Sequence, residues 1–175
     1  MKKNVADYVK AIPDYPEKGI IFRDITTVLQ DPDGFKLAVD EMLTLVSGVE
    51  CDVVAGAEAR GFILGAPMAY ALGKGFVPIR KKGKLPRETV SQSYDLEYGS
   101  AEIEIHTDAI KPGEKVILVD DLMATGGTME ASVKLIESLG GEVSKIVFLI
   151  ELAGLNGREK LKGYDVASVV IYEGK

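Results

Sequence analysis

Residues 116–128 constrain this chain more than any other stretch. Val116-Ile117-Leu118-Val119 is an apolar run without alternation, which marks a strand buried on both faces, as in a parallel sheet. It runs into two carboxylates, Asp120 and Asp121, and then through Ala124-Thr125-Gly126-Gly127-Thr128 into an amphipathic helix. Open α/β sheets bind ligands at the carboxyl ends of such strands. Gly126 and Gly127 permit backbone angles that turn several N–H groups towards one anion, and Thr125 and Thr128 add hydroxyls. The helix contributes its positive N-terminal end. The loop suits a phosphate, and the carboxylates before it suit the hydroxyls of a sugar attached to that phosphate. The stretch is neither GxxxxGK[ST] nor GxGxxG, so it is not a Walker loop or a dinucleotide loop.

The remaining elements are read from periodicity and punctuation. Val5, Tyr8, Val9 and Ile12 keep helical spacing up to Pro13, and Ile20-Ile21-Phe22 is a short apolar piece after a turn-rich connection. Asp31-Pro32-Asp33 predicts the cap of a helix with Phe35, Ala38, Val39, Met42, Leu45 and Val46 inward. Val53-Val54-Ala55 is a core strand, followed by a helix over 62–72. Phe76-Val77-Pro78-Ile79 is a strand in an irregular or edge position because of its proline. Residues 81–95 are polar without a clear period and read as a mobile loop. Residues 101–106 alternate as a half-exposed strand. Strands over 146–150 and 166–172 flank a short helix near 157–161. The expected fold is α/β: a central, mostly parallel sheet flanked by helices, with an antiparallel excursion near 90–106. At 175 residues it forms one domain (1–175), with room for a small appendage.

A net charge of −6 argues against general nucleic-acid binding. The basic residues concentrate in Arg80-Lys81-Lys82-Gly83-Lys84-Leu85-Pro86-Arg87, which fits a small polyanion better than a duplex. No apolar run approaches the ~18 residues of a membrane span, and the protein is expected to be cytoplasmic. Cys51 is the sole cysteine, so no internal disulfide forms, and it reads as a small apolar residue near a strand start.

Further candidates lie outside the phosphate loop. Arg60, in Ala57-Glu58-Ala59-Arg60-Gly61-Phe62, stands at a second strand-to-helix corner, where a planar guanidinium suits paired pyrophosphate oxygens. Arg80 and Lys81 follow a strand end, and Lys84 lies farther into the loop. Glu97, in Tyr94-Asp95-Leu96-Glu97-Tyr98-Gly99, could exchange a proton with a covered substrate, but on spacing Asp95 and Glu102 serve equally. His106 falls on the polar side of its strand and is expected to be exposed.

The 120–128 segment resembles the phosphoribosyl-pyrophosphate (PRPP) motif of the type I phosphoribosyltransferase family. Within that family the chain looks like the adenine-using members over nearly its whole length. The pieces carrying this are residues 12–16, Gly19-Ile20-Ile21-Phe22-Arg23-Asp24-Ile25-Thr26, Ala59-Arg60-Gly61-Phe62, the basic loop from Arg80 to Pro86 and Ser93-Tyr94-Asp95-Leu96-Glu97-Tyr98-Gly99. The resemblance implies a type I phosphoribosyltransferase fold in which residues 1–33 form a hood, 34–175 an α/β core and 81–99 a flexible catalytic loop. It implies the reaction of adenine with PRPP to give AMP and pyrophosphate, with Mg²⁺ held mainly by PRPP and water and no direct protein ligand. It implies that adenine stacks on Phe22 and bonds the backbone at Ile21, with Arg23 supporting the hood.

It also implies that Glu97 assists proton movement, and that Asp120, Asp121, Ala124, Thr125, Gly126, Gly127 and Thr128 hold the ribose phosphate. Arg60, Arg80, Lys81 and Lys84 hold pyrophosphate, and the active form is a homodimer. Some relatives carry Ser where Ala59 stands, and others a small residue where Arg87 stands, so Arg87 receives no role. The alternatives are a phosphoribosyltransferase for xanthine or hypoxanthine/guanine, and a non-catalytic PRPP-sensing regulator on the same fold.

Overall fold

The structure is a computed structural model that describes residues 3–95 and 99–174. After a 3₁₀ turn over Val5–Tyr8 come strands β1 (Lys10–Pro13) and β2 (Ile21–Asp24), and helices α1 (Thr26–Gln30) and α2 (Pro32–Leu45). There follow β3 (Val53–Ala57), α3 (Arg60–Leu72), β4 (Gly75–Lys81), β5 (Thr89–Asp95) and β6 (Ser100–His106). The chain continues with β7 (Lys115–Met123), α4 (Gly127–Ser138), β8 (Glu142–Leu152), two 3₁₀ turns over Ala153–Leu155 and Gly157–Leu161, and β9 (Val166–Tyr172). Among the described residues no helix is long and apolar enough to cross a membrane.

Seven strands form one sheet in the order β5-β6-β4-β3-β7-β8-β9. The pairs β4–β3, β3–β7, β7–β8 and β8–β9 are parallel, while β6 runs antiparallel to both β4 and β5. The strand order therefore reverses between β3 and β7. That is the switch point at which an open α/β sheet leaves a crevice beyond its carboxyl ends.

The unalternating run in β7 has its explanation here. Val116 and Leu118 pack on one face with Met129, Val133 and Ile136 of α4. Ile117 and Val119 pack on the other with Met42 of α2 and Leu64 and Met68 of α3. Asp31 caps α2 as the sequence predicts, accepting from the N–H groups of Asp33 and Gly34 at 3.0 and 2.9 Å. Pro78 pairs only with β3, through Gly56, because β6 joins β4 later, at Arg80 and Lys81. An imino residue is tolerated on that unpaired side.

Three expectations are corrected. Residues 5–12 do not form one helix: Asn4 and Asp7 close a capping box on a single turn, and Lys10–Pro13 then pairs with Ile21–Asp24. Cross-strand pairing overrides a weak helical period. The loop expected over 81–95 is a strand from Thr89 onward, in register with β6 from Thr89↔His106 to Asp95↔Ser100. Val90, Gln92 and Tyr94 turn towards the core, but a single aliphatic residue is too weak a period to read in isolation. Residues 101–106 are not half-exposed, since Glu104 and His106 are buried along with Ile103 and Ile105. The Glu104 carboxylate accepts from the N–H groups of Lys84 and Leu85 at 3.1 and 3.0 Å, tethering the basic loop. His106 Nδ1 lies 3.4 Å from the Glu88 carbonyl.

Candidate active site

Two helices start at the switch-point crevice, and neither has a side-chain cap. The N-cap of α3 is Ala59 and that of α4 is Gly126. Helix α2, elsewhere in the fold, is capped by Asp31. The first N–H groups of any α-helix lack an intrahelical acceptor, and the helix dipole makes that end positive. Two uncapped positive ends therefore open on one crevice, as expected of a site for a ligand carrying two anionic groups.

At α4 the cradle depends on glycine. Gly126 has φ of 80°, and a Cβ there would lie 2.5 Å from the Gly157 carbonyl oxygen. Gly61, at the start of α3, lies so close to β7 that its Cβ would stand 3.0 Å from both Asp120 Oδ1 and the Val119 carbonyl oxygen. These close approaches bring the two helix ends together.

Asp120 and Asp121 are part of β7 itself, which fixes them better than a turn would. Asp120 Oδ1 accepts from the Asp121 N–H at 2.8 Å. Burial, followed by the neighbouring Asp121 charge, pushes the Asp120 carboxyl well above its ordinary pKa. Asp121 is buried, and its Oδ2 lies 2.8 Å from Arg60 Nε without forming an aligned hydrogen bond. Paired with Arg60 but without an aligned hydrogen bond, the carboxylate keeps lone pairs able to accept from an incoming hydroxyl.

A cavity of about 440 Å³ joins these groups. Its lining includes Glu58, Ala59, Arg60, Lys81, Tyr94, Asp120, Asp121, Ala124 and Thr128. A smaller one of about 90 Å³ is bounded by Asp120, residues 122–129 and Phe148. A larger concavity, about 560 Å³, surrounds Cys51, Lys74 and Lys115 near the amino ends of β3 and β7, away from both helix starts.

The expected pyrophosphate cations divide. Arg60 and Lys81 face the main cavity. Arg80 instead bonds Glu58, with Nε at 3.1 Å from Oε2, and reaches the Lys84 carbonyl at 3.3 Å. Lys84 is tethered through its backbone to Glu104, and its side chain is not part of the cavity lining. Glu58 also accepts from the Lys81 N–H at 3.0 Å. Burial alone would raise the Glu58 carboxyl, but the Lys81 N–H and the Arg80 guanidinium outweigh it and hold the pKa below its ordinary value. Arg87 pairs with Asp108 on the surface.

The hood residues lie on β2. Phe22 meets Tyr15 edge-on at 5.3 Å between centroids, and the Arg23 guanidinium stacks over Tyr172 at 3.9 Å. Ile21 is partly exposed. Asp24, at the end of β2, is held below its ordinary pKa first by the Thr26 hydroxyl and N–H, and also by the Lys10 and Arg60 charges. Glu97 lies outside the described residues.

Glu58 and Tyr94 were not singled out from the sequence. Glu58 stands inside the Ala57–Phe62 corner, but its partner Arg80 becomes visible only once β3 and β4 are paired.

Among the described residues no three His, Cys, Asp or Glu side chains cluster to hold a metal. The acidic groups in the crevice supply only hard oxygen, which fits a Mg²⁺ that retains most of its ligands as water or substrate oxygens.

A sequence model of the phosphoribosyl transferase domain matches residues 34–172. An adenine phosphoribosyltransferase from Butyrivibrio fibrisolvens is 70% identical over 173 residues, covering 99% of this chain and 96% of that protein. The crystal structure of adenine phosphoribosyltransferase from Thermoanaerobacter pseudethanolicus superposes with a TM-score of 0.93 at 52% identity, over 96% of this chain and 98% of that one. The Saccharomyces cerevisiae enzyme, complexed with an imino-altritol bisphosphate and adenine, superposes with a TM-score of 0.88 at 38% identity, over 94% and 96% of the two chains.

Proposed function

This chain belongs to the phosphoribosyltransferase family, in its adenine-using branch, and from that premise we propose how its residues divide the work. The protein transfers the 5-phosphoribosyl group of PRPP to N9 of adenine, giving AMP and pyrophosphate, the reaction of purine salvage. The observation that carries the reading is the pair of uncapped helix starts, with two carboxylates beside them. PRPP has the matching pattern, a 5′-phosphate at one end of a ribose and a pyrophosphate at the other.

The N–H groups at 125–128 hold the 5′-phosphate, aided by the hydroxyls of Thr125 and Thr128. Asp120 and Asp121 accept from the ribose hydroxyls. The pyrophosphate lies at the start of α3, against Arg60 and Lys81, while Arg80 at the end of β4 and Lys84 in the loop after it add positive charge. A Mg²⁺ held mainly by substrate oxygens and water, with no direct protein ligand, would neutralise charge developing on the leaving pyrophosphate. The C1′–oxygen bond breaks with its electron pair passing to pyrophosphate, and adenine N9 attacks C1′ from the opposite face. The sugar carries oxocarbenium character between these events. Positive groups set in place beforehand lower this barrier without reorganising.

Adenine packs on Phe22 beneath the hood and bonds the backbone at Ile21, and the Arg23–Tyr172 stack steadies that strand. Glu97 receives the proton that leaves the purine. The 81–99 segment covers the site and keeps water from competing for C1′. The Glu97→Gln variant is expected to lose about 10²-fold in kcat with little change in KM for PRPP, in the usual range for a proton-transfer group. Full activity across pH would remove that role.

In a competition assay with PRPP, adenine is expected to be consumed to the near exclusion of guanine, hypoxanthine and xanthine. Preference for a 6-oxopurine would overturn the hood assignment, and PRPP binding without turnover of any base would favour a regulator.

A homodimer fits the surface of α3. Residues 61–73 contain no charge, and Ile63 and Tyr70 stand exposed on it, Tyr70 to 89%. Light scattering is expected to return twice the 18.8 kDa chain mass, and a monomer would refute the assignment. We place the reaction in the cytoplasm, where adenine and PRPP would be available.

A further inference from the structure

The 3₁₀ turn over Gly157–Leu161 lies behind the phosphate loop and is fastened there. A Cβ at Gly157 would stand 2.6 Å from the Ala124 carbonyl oxygen and 3.2 Å from the Gly126 nitrogen, so backbone packs directly on backbone. Arg158 forks onto Glu151 with two hydrogen bonds of 2.7 Å and donates to the Val166 carbonyl at 2.9 Å. Ser168 Oγ donates to Glu151 at 2.7 Å, and Glu151 is almost fully buried. Leu161 anchors the other end of the turn in the core. Glu151 is buried while the Arg158 side chain is 46% exposed, and this forked pair together with Leu161 holds the turn in place.

Lys160 projects from this turn towards the start of α4. Its Nζ lies 3.5 Å from where a Cβ on Gly127 would be. Among the described residues it makes no salt bridge or hydrogen bond. The arrangement is electrostatically unfavourable as it stands, because an ammonium belongs at a helix C-terminus and here it meets an uncapped N-terminus. The Asp95 carbonyl oxygen stands 3.6 Å from the same point, and an anion drawn to the uncapped helix start would give the exposed ammonium a charged partner there.

We propose that Lys160 contacts the 5′-phosphate of PRPP and of AMP, reaching it at the start of α4 from the side of the Gly157–Leu161 turn. The proposal rests on the loop being the 5′-phosphate site and adds a ligand from outside the motif. Lys160 adds one charge-assisted bond, and the Glu151–Arg158 pair acts as a positioning device for the turn that carries it.

AMP and adenosine differ only in the phosphate, so calorimetric titration of both against wild type, Lys160→Met and Lys160→Arg isolates the contact. Lys160→Met is expected to weaken AMP about tenfold, the scale of one charge-assisted bond, with adenosine and the KM for adenine unmoved. Lys160→Arg is expected to restore AMP to within about threefold. Raising salt should weaken AMP less in Lys160→Met than in wild type. Unchanged AMP affinity in Lys160→Met, or an equal loss for adenosine, would overturn the proposal while leaving the loop assignment standing. Wild-type protein that bound AMP no better than adenosine would overturn the loop assignment itself.

Discussion

Replacing Asp120 and Asp121 together by Asn is expected to lower kcat/KM for PRPP by roughly 10³-fold, about 4 kcal/mol of transition-state stabilisation. An amide keeps the size of the carboxyl and can still accept through one oxygen, but it carries no charge to offset the developing oxocarbenium. The change also removes the Arg60–Asp121 contact at 2.8 Å, freeing the guanidinium that faces pyrophosphate. Steady-state kinetics decides the matter, and an unchanged kcat/KM would eliminate the acidic pair as a positioning device.

Asp120 gives this prediction a second readout. Its folded pKa is raised by burial and by Asp121, so in the window between the ordinary value and the raised one the native state binds more protons than the unfolded chain. Stability then falls as pH rises through that window, and the ionised native state remains penalised above it. The single Asp120→Asn variant should therefore melt at a higher temperature than wild type near neutral pH while being less active. A lower melting temperature would mean that the charge is not strained in the fold. The acid limb of kcat/KM, displaced upward from the usual carboxylate range in wild type, should lose its Asp120 contribution in the variant.

Gly126→Ala is expected to raise KM for PRPP by about 10²-fold while leaving adenine affinity within about twofold. A non-glycine residue in the left-handed region costs on the order of 1–3 kcal/mol, and the new Cβ would meet the Gly157 carbonyl at 2.5 Å. Backbone stands on both sides of that contact, so the loop must shift and its N–H groups lose their common focus. Gly157→Ala should reproduce the defect from the other side, since its Cβ would meet the Ala124 carbonyl at 2.6 Å. Wild-type PRPP kinetics in both variants would refute the cradle.

The features legible in the sequence are those whose cause is local. The run over 116–119, the glycine pair after it and the Asp31-Pro32 cap each carry their own reason within a few residues. The strand over 89–95 was not legible because its stability comes from pairing with 100–106, and Ser91, Ser93 and Asp95 hide the period of Val90, Gln92 and Tyr94. His106 seemed destined for solvent by alternation alone, yet the Glu88 carbonyl and the surrounding hairpin enclose it. In the site, Asp120, Asp121 and the 124–128 loop sit on one strand-to-helix corner and could be read together. The Arg80–Glu58 pair was not legible, because Glu58 stands just past the end of β3 and meets Arg80 only once β3 and β4 are paired. Tyr94 and Lys160 reach the cavity or the loop only through tertiary placement.

The account turns on one ligand lying across the switch point in a single orientation. A crystal structure of the protein with AMP bound tests it directly. The account predicts the phosphate on the N–H groups at 125–128, the ribose hydroxyls on Asp120 and Asp121, and adenine beneath the hood against Phe22. AMP bound with its phosphate at the start of α3, or with its base away from the hood, would contradict it.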